Sequence, residues 1–355
     1  MTIYNFDQLP DRRITNNAKW LKYPADVLPM WVADMDFISP PPVMEALQEF
    51  VARGVFGYPR FEADLSDSPP LREVVVARLA RLYGWRVAPE ALAFVPGVVS
   101  GFNLAAHVLA GPGGAAAGGE LVIQTPVYPP ILDAAPNAGL VRRDAPLARG
   151  ADGRYTIDWD AFEAAFSPAT RLFLLCNPHN PVGRVFTRDE LARMAEVCLR
   201  RGVPIISDEI HAELLYSGQR HVPIASLSPE MEQASITLIA PSKTFNLPGL
   251  QCSVAIIHNA ELRARYVAGR QGLVPWVNVM GLIAAEAAYR DGDEWLAQLL
   301  PYLEANRDTV ARFVAAELPG VRWGPPEATY LAWLDCAGTG LSNPCQCFLD
   351  LGRVG

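Results

Sequence analysis

The sequence predicts an α/β fold built on a mostly parallel sheet, and three observations carry that expectation. Short apolar runs bounded by turn residues recur through the middle of the chain. Between two of them lies a segment of clear helical periodicity. Half of the 355 residues are hydrophobic and only 19% are charged, so a large core is available and a disordered chain is excluded.

Residues 1 to about 40 read as irregular, rich in Pro, Asp and Asn. Strands are expected at 91–95, 121–124, 172–176, 204–207, 236–239 and 253–257, and Pro96 to Gly101 opens a helix at 102–109. Gly111 to Gly119 reads as a low-complexity surface loop. The best-marked helix starts at the capping box Thr187-x-x-Glu190, shows Leu191, Met194, Ala195 and Cys198 on one face, and stops at Gly202. Strand, helix and strand there make a right-handed βαβ unit. Helices follow at 281–289 and 303–318, the second closed by Pro319-Gly320, and a strand-like run occupies 329–334. The expected organisation is a large three-layer α/β/α domain over 41–283, with a smaller α/β domain assembled from 1–40 and 284–355.

Composition removes several functions. Thirty Lys+Arg face 38 Asp+Glu, a net charge of −8, so no broad basic field suits nucleic acid. Lysine occurs only at Lys19, Lys22 and Lys243, and none follows a glycine as a Walker A loop needs. The five histidines form no His-Glu-x-x-His helix, no Gly-x-Ser-x-Gly elbow exists, and no metal site is expected. Gly111-Pro-Gly113-Gly-Ala-Ala116 precedes an apolar run, whereas a dinucleotide loop follows a strand, so it reads as a turn. The six cysteines show no disulfide framework and fit reduced thiols. Without a secretory leader or a long apolar run, the chain is expected to be cytoplasmic, with no membrane partner.

In open α/β sheets, ligands sit beyond the carboxyl ends of the strands. Reading just past each run gives Gly97-Val98-Val99-Ser100 opening a helix, Tyr128, Asn180, Asp208 with His211, and Ser242-Lys243. Each has a plain structural reading: Lys243 as a surface cation, Asp208 as a cap, Asn180 as a turn, Tyr128 at the core edge. Together they form one set: an amine for an imine, a carboxylate for a ring nitrogen, a donor for a ring hydroxyl, a stacking face and an anion cradle. Pyridoxal 5'-phosphate is the common cofactor that asks for that set.

At these residues the chain resembles a known family. Asn180-Pro-Val-Gly183, Ser207-Asp208-Glu209-Ile210-His211 and Pro241-Ser242-Lys243-Thr244-Phe245-Asn246 resemble the core motifs of class I/II aminotransferases of fold type I. Trp31-Val-Ala-Asp34-Met35-Asp36-Phe37, Gly54-Val-Phe-Gly57-Tyr58 and Thr329-Tyr330-Leu-Ala-Trp-Leu-Asp335 resemble the MalY/PatB branch of cystathionine β-lyase-like enzymes. The resemblance implies that Lys243 forms the imine and carries the proton at the substrate Cα. It gives Asp208 to the ring nitrogen, Asn180 to the ring hydroxyl and Tyr128 to the ring face. His211 stands where broader aminotransferases carry a tyrosine. The Val98 and Val99 amides with Ser242 would hold the phosphate, joined by Tyr58 from a neighbouring subunit, which implies a homodimer. Gln251 stands where many relatives carry a phosphate-clamping arginine.

The implied reaction is β-elimination on cystathionine or another cysteine S-conjugate, giving a thiol, pyruvate and ammonia. Amino transfer to a 2-oxo acid is the alternative, and a pyridoxal-phosphate-binding protein with little turnover is a third reading. The backbone at Ala33 and Asp34, with Asn180, would offer hydrogen bonds to an amino-acid substrate. Related chains continue past Gly355 into a segment whose arginine binds the substrate carboxylate, so residues 1–355 are expected to bind amino acids weakly.

Overall fold

Local signals place most elements. The computed structural model describes residues 3–62, 65–111 and 118–355; most of the glycine-rich loop expected at 111–119 lies outside the described residues. Helices α1 (Pro41–Ala52) and α2 (Pro69–Tyr83) both start on prolines, whose fixed φ suits a first turn. Ser68 caps α2 by accepting from the Leu71 amide, and Gly84 ends it in the left-handed region.

Strand β1 (Leu92–Val95) leads into α3 (Val98–Ala110), which begins four residues earlier than the sequence reading placed it. Val98 and Val99 therefore sit in the first helical turn, not in a preceding loop. Strands β2 (Glu120–Thr125), β3 (Val141–Arg149), β4 (Tyr155–Ile157) and β5 (Thr170–Cys176) follow. Next comes α4 (Arg188–Arg201), where Thr187 and Glu190 make the reciprocal capping box and Gly202 closes the helix at φ +65°. Strands β6 (Ile205–Asp208), β7 (Ser235–Ile239) and β8 (Ser253–Ile256) complete the sheet. Helices α5 (Ala260–Gly269), α6 (Val279–Asp291) and α7 (Asp293–Glu317) follow.

The eight strands lie in the order β1-β8-β7-β6-β5-β2-β3-β4. Neighbours from β7 through β6, β5 and β2 to β3 pair in parallel; β8 is antiparallel to both β7 and β1, and β4 is antiparallel to β3. The β5–α4–β6 unit has the expected parallel strands. Successive strand residues face opposite layers. Leu121, Ile123, Leu172, Leu174, Ile206 and Leu238 pack under α3 and α5, while Val122, Phe173, Leu175 and Ile205 pack against α4. On the β1 and β8 side, Phe94 and Val254 meet α1, α2 and α6. Each such fully buried side chain contributes about 1.5–3 kcal/mol of transfer free energy. Helix α3 lies close on the sheet because Gly101 has no Cβ, which would otherwise stand 2.7 Å from a Leu238 methyl.

Three expectations need correction. The run 329–334 is not a strand. Thr329 has φ +72°, and its amide donates to the Leu214 carbonyl, so the segment is threaded between loops without a partner strand. The helix expected at 303–318 starts at Asp293 and carries Pro301 inside it; Asp293 and Glu294 supply the acidic first turn that favours this start. Strands β3 and β4 had no apolar signal, because β3 exposes most of Val141–Arg149 near the sheet edge. All six cysteines are free thiols, and among the described residues no helix is long and apolar enough to cross a membrane.

Candidate active site

The site forms where the parallel strands end. Asp208 closes β6, aligned with Cys176 on one side and Leu238 on the other. The chain after each strand turns across this edge, and backbone hydrogen bonds tie the turns together. Tyr128 N–H donates to the Asn180 carbonyl at 3.0 Å, Asn177 N–H to Asp208 at 3.0 Å, and Glu209 N–H to Leu238 at 2.9 Å. Tyr128, Asn180, Asp208, His211 and Lys243 thus belong to one edge, as their positions after successive runs predict.

Their electrostatics fit chemistry better than packing. The Lys243 side chain is largely buried, and its Nζ donates to the Ala33 carbonyl at 2.7 Å. Burial lowers its pKa, which favours the neutral, nucleophilic amine; the Asp34 and Asp208 carboxylates oppose that shift. Asp208 accepts from the Ile210 N–H at 3.1 Å, so it also makes the turn that its plain reading allows. Burial pushes its carboxyl up to about 7, with Glu209 adding repulsion, while the Ile210 bond and Lys243 pull it down. A cation placed against such a group favours its ionised form. Burial also raises the Tyr128 phenol, helped by Asp208, which puts that ring near the carboxylate.

His211 is buried, and neither of its ring nitrogens has a hydrogen-bond partner among the described residues. Burial, then Lys243, lower its pKa to about 3, so the ring is a neutral imidazole with one donor and one acceptor unused. A buried pair of unmet polar atoms is costly unless a ligand meets them.

On the same edge, α3 starts at Gly97 with no side-chain cap, leaving the Val98 and Val99 amides to the helix dipole. Val98 is buried and Val99 half exposed. Ser242 and Lys243 occupy one helical turn, Pro241–Thr244, where the Ser242 carbonyl accepts from Leu247 N–H at 2.8 Å. Gln251 stands exposed with φ +46°. Tyr58 is not gathered in with the others: it is 85% exposed, and its ring contact is edge-on to Trp276 at 5.7 Å.

Several residues entered the site without a local signal. Tyr330 Oη donates to the Ala33 carbonyl at 3.1 Å, and its ring stands edge-on to His211. The loop carrying Ala33 and Asp34 is held from below by the first turns of the chain. Arg12 pairs with Asp34 at 2.7 Å, Asn17 donates to Asp34 at 3.0 Å, and Lys19 donates to Asp36 and to the Asp34 carbonyl, each at 2.8 Å. Nothing in the spacing of 12, 19, 34 and 36 announces these pairs, because the segment has no regular period. Behind Asp208, the buried Glu209 bonds His221 at 2.7 Å and Ser207 at 2.8 Å.

Comparison with known proteins agrees with this geometry. The family model for aminotransferase class I and II matches residues 26–344. Cystathionine beta-lyase PatB of Bacillus subtilis (strain 168) is 40% identical over 360 residues, covering 99% of this chain and 90% of that protein. Protein MalY of Escherichia coli (strain K12) is 32% identical, covering 94% and 84%. Among solved structures, OvoB superposes with a TM-score of 0.92 at 42% identity, covering 99% of this chain and 90% of the other. The pyridoxal-phosphate-bound C–S lyase of Staphylococcus hominis gives 0.89 at 32%, covering 99% and 89%. The chain belongs to the class I and II aminotransferase family.

Proposed function

We propose that the chain is a pyridoxal-5'-phosphate enzyme that splits cysteine S-conjugates such as cystathionine into a thiol, pyruvate and ammonia, with uptake of water. The observation that carries this reading is Lys243: a largely buried amine that acts electrostatically on both Asp208 and the unpartnered His211, at the strand-end edge. The residues fit the cofactor, since neither His211 ring nitrogen has a partner, burial holds the Asp208 carboxyl high despite Lys243 nearby, and the α3 amides have no side-chain cap. When bound, the cofactor supplies an electron sink for negative charge developing at the substrate Cα.

Each side chain then has a task. Lys243 supplies the amine that holds the cofactor's carbonyl carbon, and afterwards moves the proton at the substrate Cα. Asp208 keeps the ring nitrogen protonated, because a buried carboxylate is stabilised by an adjacent cation. Asn180 and His211 would hydrogen-bond the ring hydroxyl, and Tyr128 would stack on the ring. Val98, Val99 and Ser242 hold the phosphate, and the backbone at Ala33 and Asp34 orients the amino acid.

Tyr58 is 85% exposed and not gathered into its own site, which supports a homodimer in which it reaches the partner's phosphate. The division into 41–283 and a smaller unit from 1–40 with 284–355 is part of the same reading. It is supported by Ala33 and Tyr330, from the two ends of the chain, meeting at one carbonyl beside Lys243. We place the enzyme in the cytoplasm, as its free thiols suggest.

A second reading is amino transfer. It draws support from the 33% identity over 274 residues with the probable N-succinyldiaminopimelate aminotransferase DapC of Mycobacterium tuberculosis (strain CDC 1551 / Oshkosh). Pyruvate released from cystathionine without added oxo acid supports the lyase. Turnover only with an oxo acid supports the transaminase, and neither, in protein that holds the cofactor, supports the binding protein.

A further inference from the structure

The loop from Asn177 to Gly183 contains a histidine with no role in the chemistry above. The His179 ring is fully buried and stands edge-on to Phe186. Its Nδ1 lies 3.1 Å from the Cys176 carbonyl and its Nε2 lies 2.8 Å from the Pro126 carbonyl. Its own backbone closes the loop, donating to the Arg184 carbonyl at 2.8 Å and accepting from Gly183 at 2.7 Å.

These contacts join three parts of the site. Cys176 is the strand residue aligned with Asp208. Pro126 lies two residues before Tyr128, and Asn180 follows His179 directly. The ring therefore bridges the turn that carries Tyr128 and the strand end beside Asp208. Burial lowers its pKa to about 4, with Arg184 adding to the shift and the two carbonyls opposing it, so at neutral pH the ring has a single N–H. Of the two carbonyls, Pro126 makes the shorter contact, a geometry that favours the tautomer with its proton on Nε2.

We propose that His179 is a positioning residue whose Nε2–H, donated to the Pro126 carbonyl, fixes the Tyr128 turn against the Asn180 loop and so sets the Tyr128 ring over the cofactor. This rests on the reading of Tyr128 as the stacking residue. The chemistry at the substrate does not pass through His179, so its removal acts on how firmly the cofactor is held and oriented.

The geometry supplies its own test, because two amides mimic the two nitrogens separately. In His179→Gln the amide nitrogen reaches the place of Nε2; in His179→Asn it reaches that of Nδ1; His179→Leu supplies neither. The readouts are the equilibrium dissociation constant for pyridoxal phosphate and the visible circular dichroism of the bound cofactor. Melting of the cofactor-free proteins is followed alongside. We expect His179→Gln to stay near the parent, and His179→Asn and His179→Leu to bind the cofactor about tenfold more weakly, as loss of one buried hydrogen bond implies. Their dichroism should also fall.

Equal weakening in all three variants, or in none, overturns the proposal, as does rescue by Asn but not Gln. If the Leu variant fails to fold, the Gln and Asn pair still decides. Tyr128→Ala is measured beside them: an unchanged dissociation constant and dichroism there sinks the stacking role itself. A change there with silent His179→Asn sinks only the tether.

Discussion

The Lys243 amine and the Ala33 carbonyl meet at 2.7 Å, although 210 positions of sequence separate them. The same carbonyl accepts from Tyr330 Oη at 3.1 Å. The Lys243 amine is thereby held by the Ala33–Asp34 loop, and burial lowers its pKa, as the proposed attack on an aldehyde requires.

Lys243→Arg keeps the charge but cannot form an imine. The variant should lose the visible absorption of the lysine-bound cofactor and at least about a thousandfold in turnover, within the range for a lost proton carrier. Borohydride reduction of the parent, followed by peptide mapping, should mark Lys243. A mark on Lys19 or Lys22 would refute the assignment.

Asp208 makes a pH prediction for protein stripped of cofactor. Its folded pKa of about 7 lies above the unfolded value near 3.8, so the folded state binds the extra proton between those values. Stability is fully present below pH 4 on this account and falls as pH rises towards 7, by up to about 4 kcal/mol. Asp208→Asn should remove that slope in urea unfolding measured from pH 4 to 8. In the cofactor-loaded protein the same change should slow proton removal at Cα severely, because a neutral ring is a poor electron sink. Near-native turnover would contradict the role given to Asp208.

Arg12→Met should loosen the Ala33–Asp34 loop, since the Asp34 carboxylate then keeps only its bond from Asn17, and the loop its tie from Lys19 to the Asp34 carbonyl. The change also removes the Arg12 contacts to the Met35 carbonyl and Asp36, and each charged hydrogen bond lost is worth about 1.5–3 kcal/mol. The expected result is a KM for cystathionine raised about tenfold, with kcat and cofactor affinity changed less. Steady-state kinetics with the cofactor in excess would check it.

Gly183 has φ +73°, and a Cβ there would strike Pro326 and lie 3.0 Å from the Ala328 carbonyl. Both Glu327 and Ala328 amides donate to the Gly183 carbonyl, so the segment leading to Tyr330 is fastened at this point. Gly183→Ala should cost about 3 kcal/mol in denaturant unfolding, from backbone strain and overpacking together. A cost below about 0.5 kcal/mol would mean the two segments yield easily.

How much of this the sequence disclosed depended on how local each signal was. Helix α4 was legible to its caps because Thr187, Glu190 and Gly202 act within one or two turns. Asp208, Asn180 and Lys243 were legible because each follows an apolar run, and strand ends gather at one edge whatever the strand order. The supports were not. Arg12 and Lys19 find Asp34 and Asp36 only through folding of an aperiodic segment. Tyr330 arrives on a run whose alternation reads as a strand, but whose first amide, Thr329, bonds Leu214 in a loop, just after Glu327 and Ala328 bond Gly183. β3 escaped because Arg142, Arg143 and Asp144 mask its pattern with charge.

The place of β1 at the far edge sets the order in which the protein can be made. Among the described residues its sheet partner is β8 alone, so Leu92–Val95 stays unzipped until Ser253–Ile256 has left the ribosome. The nascent chain meanwhile carries an apolar strand with no mate, the kind of edge that invites intermolecular pairing. Slowing synthesis before β8 has emerged lengthens that exposure, whereas a pause after its emergence does not.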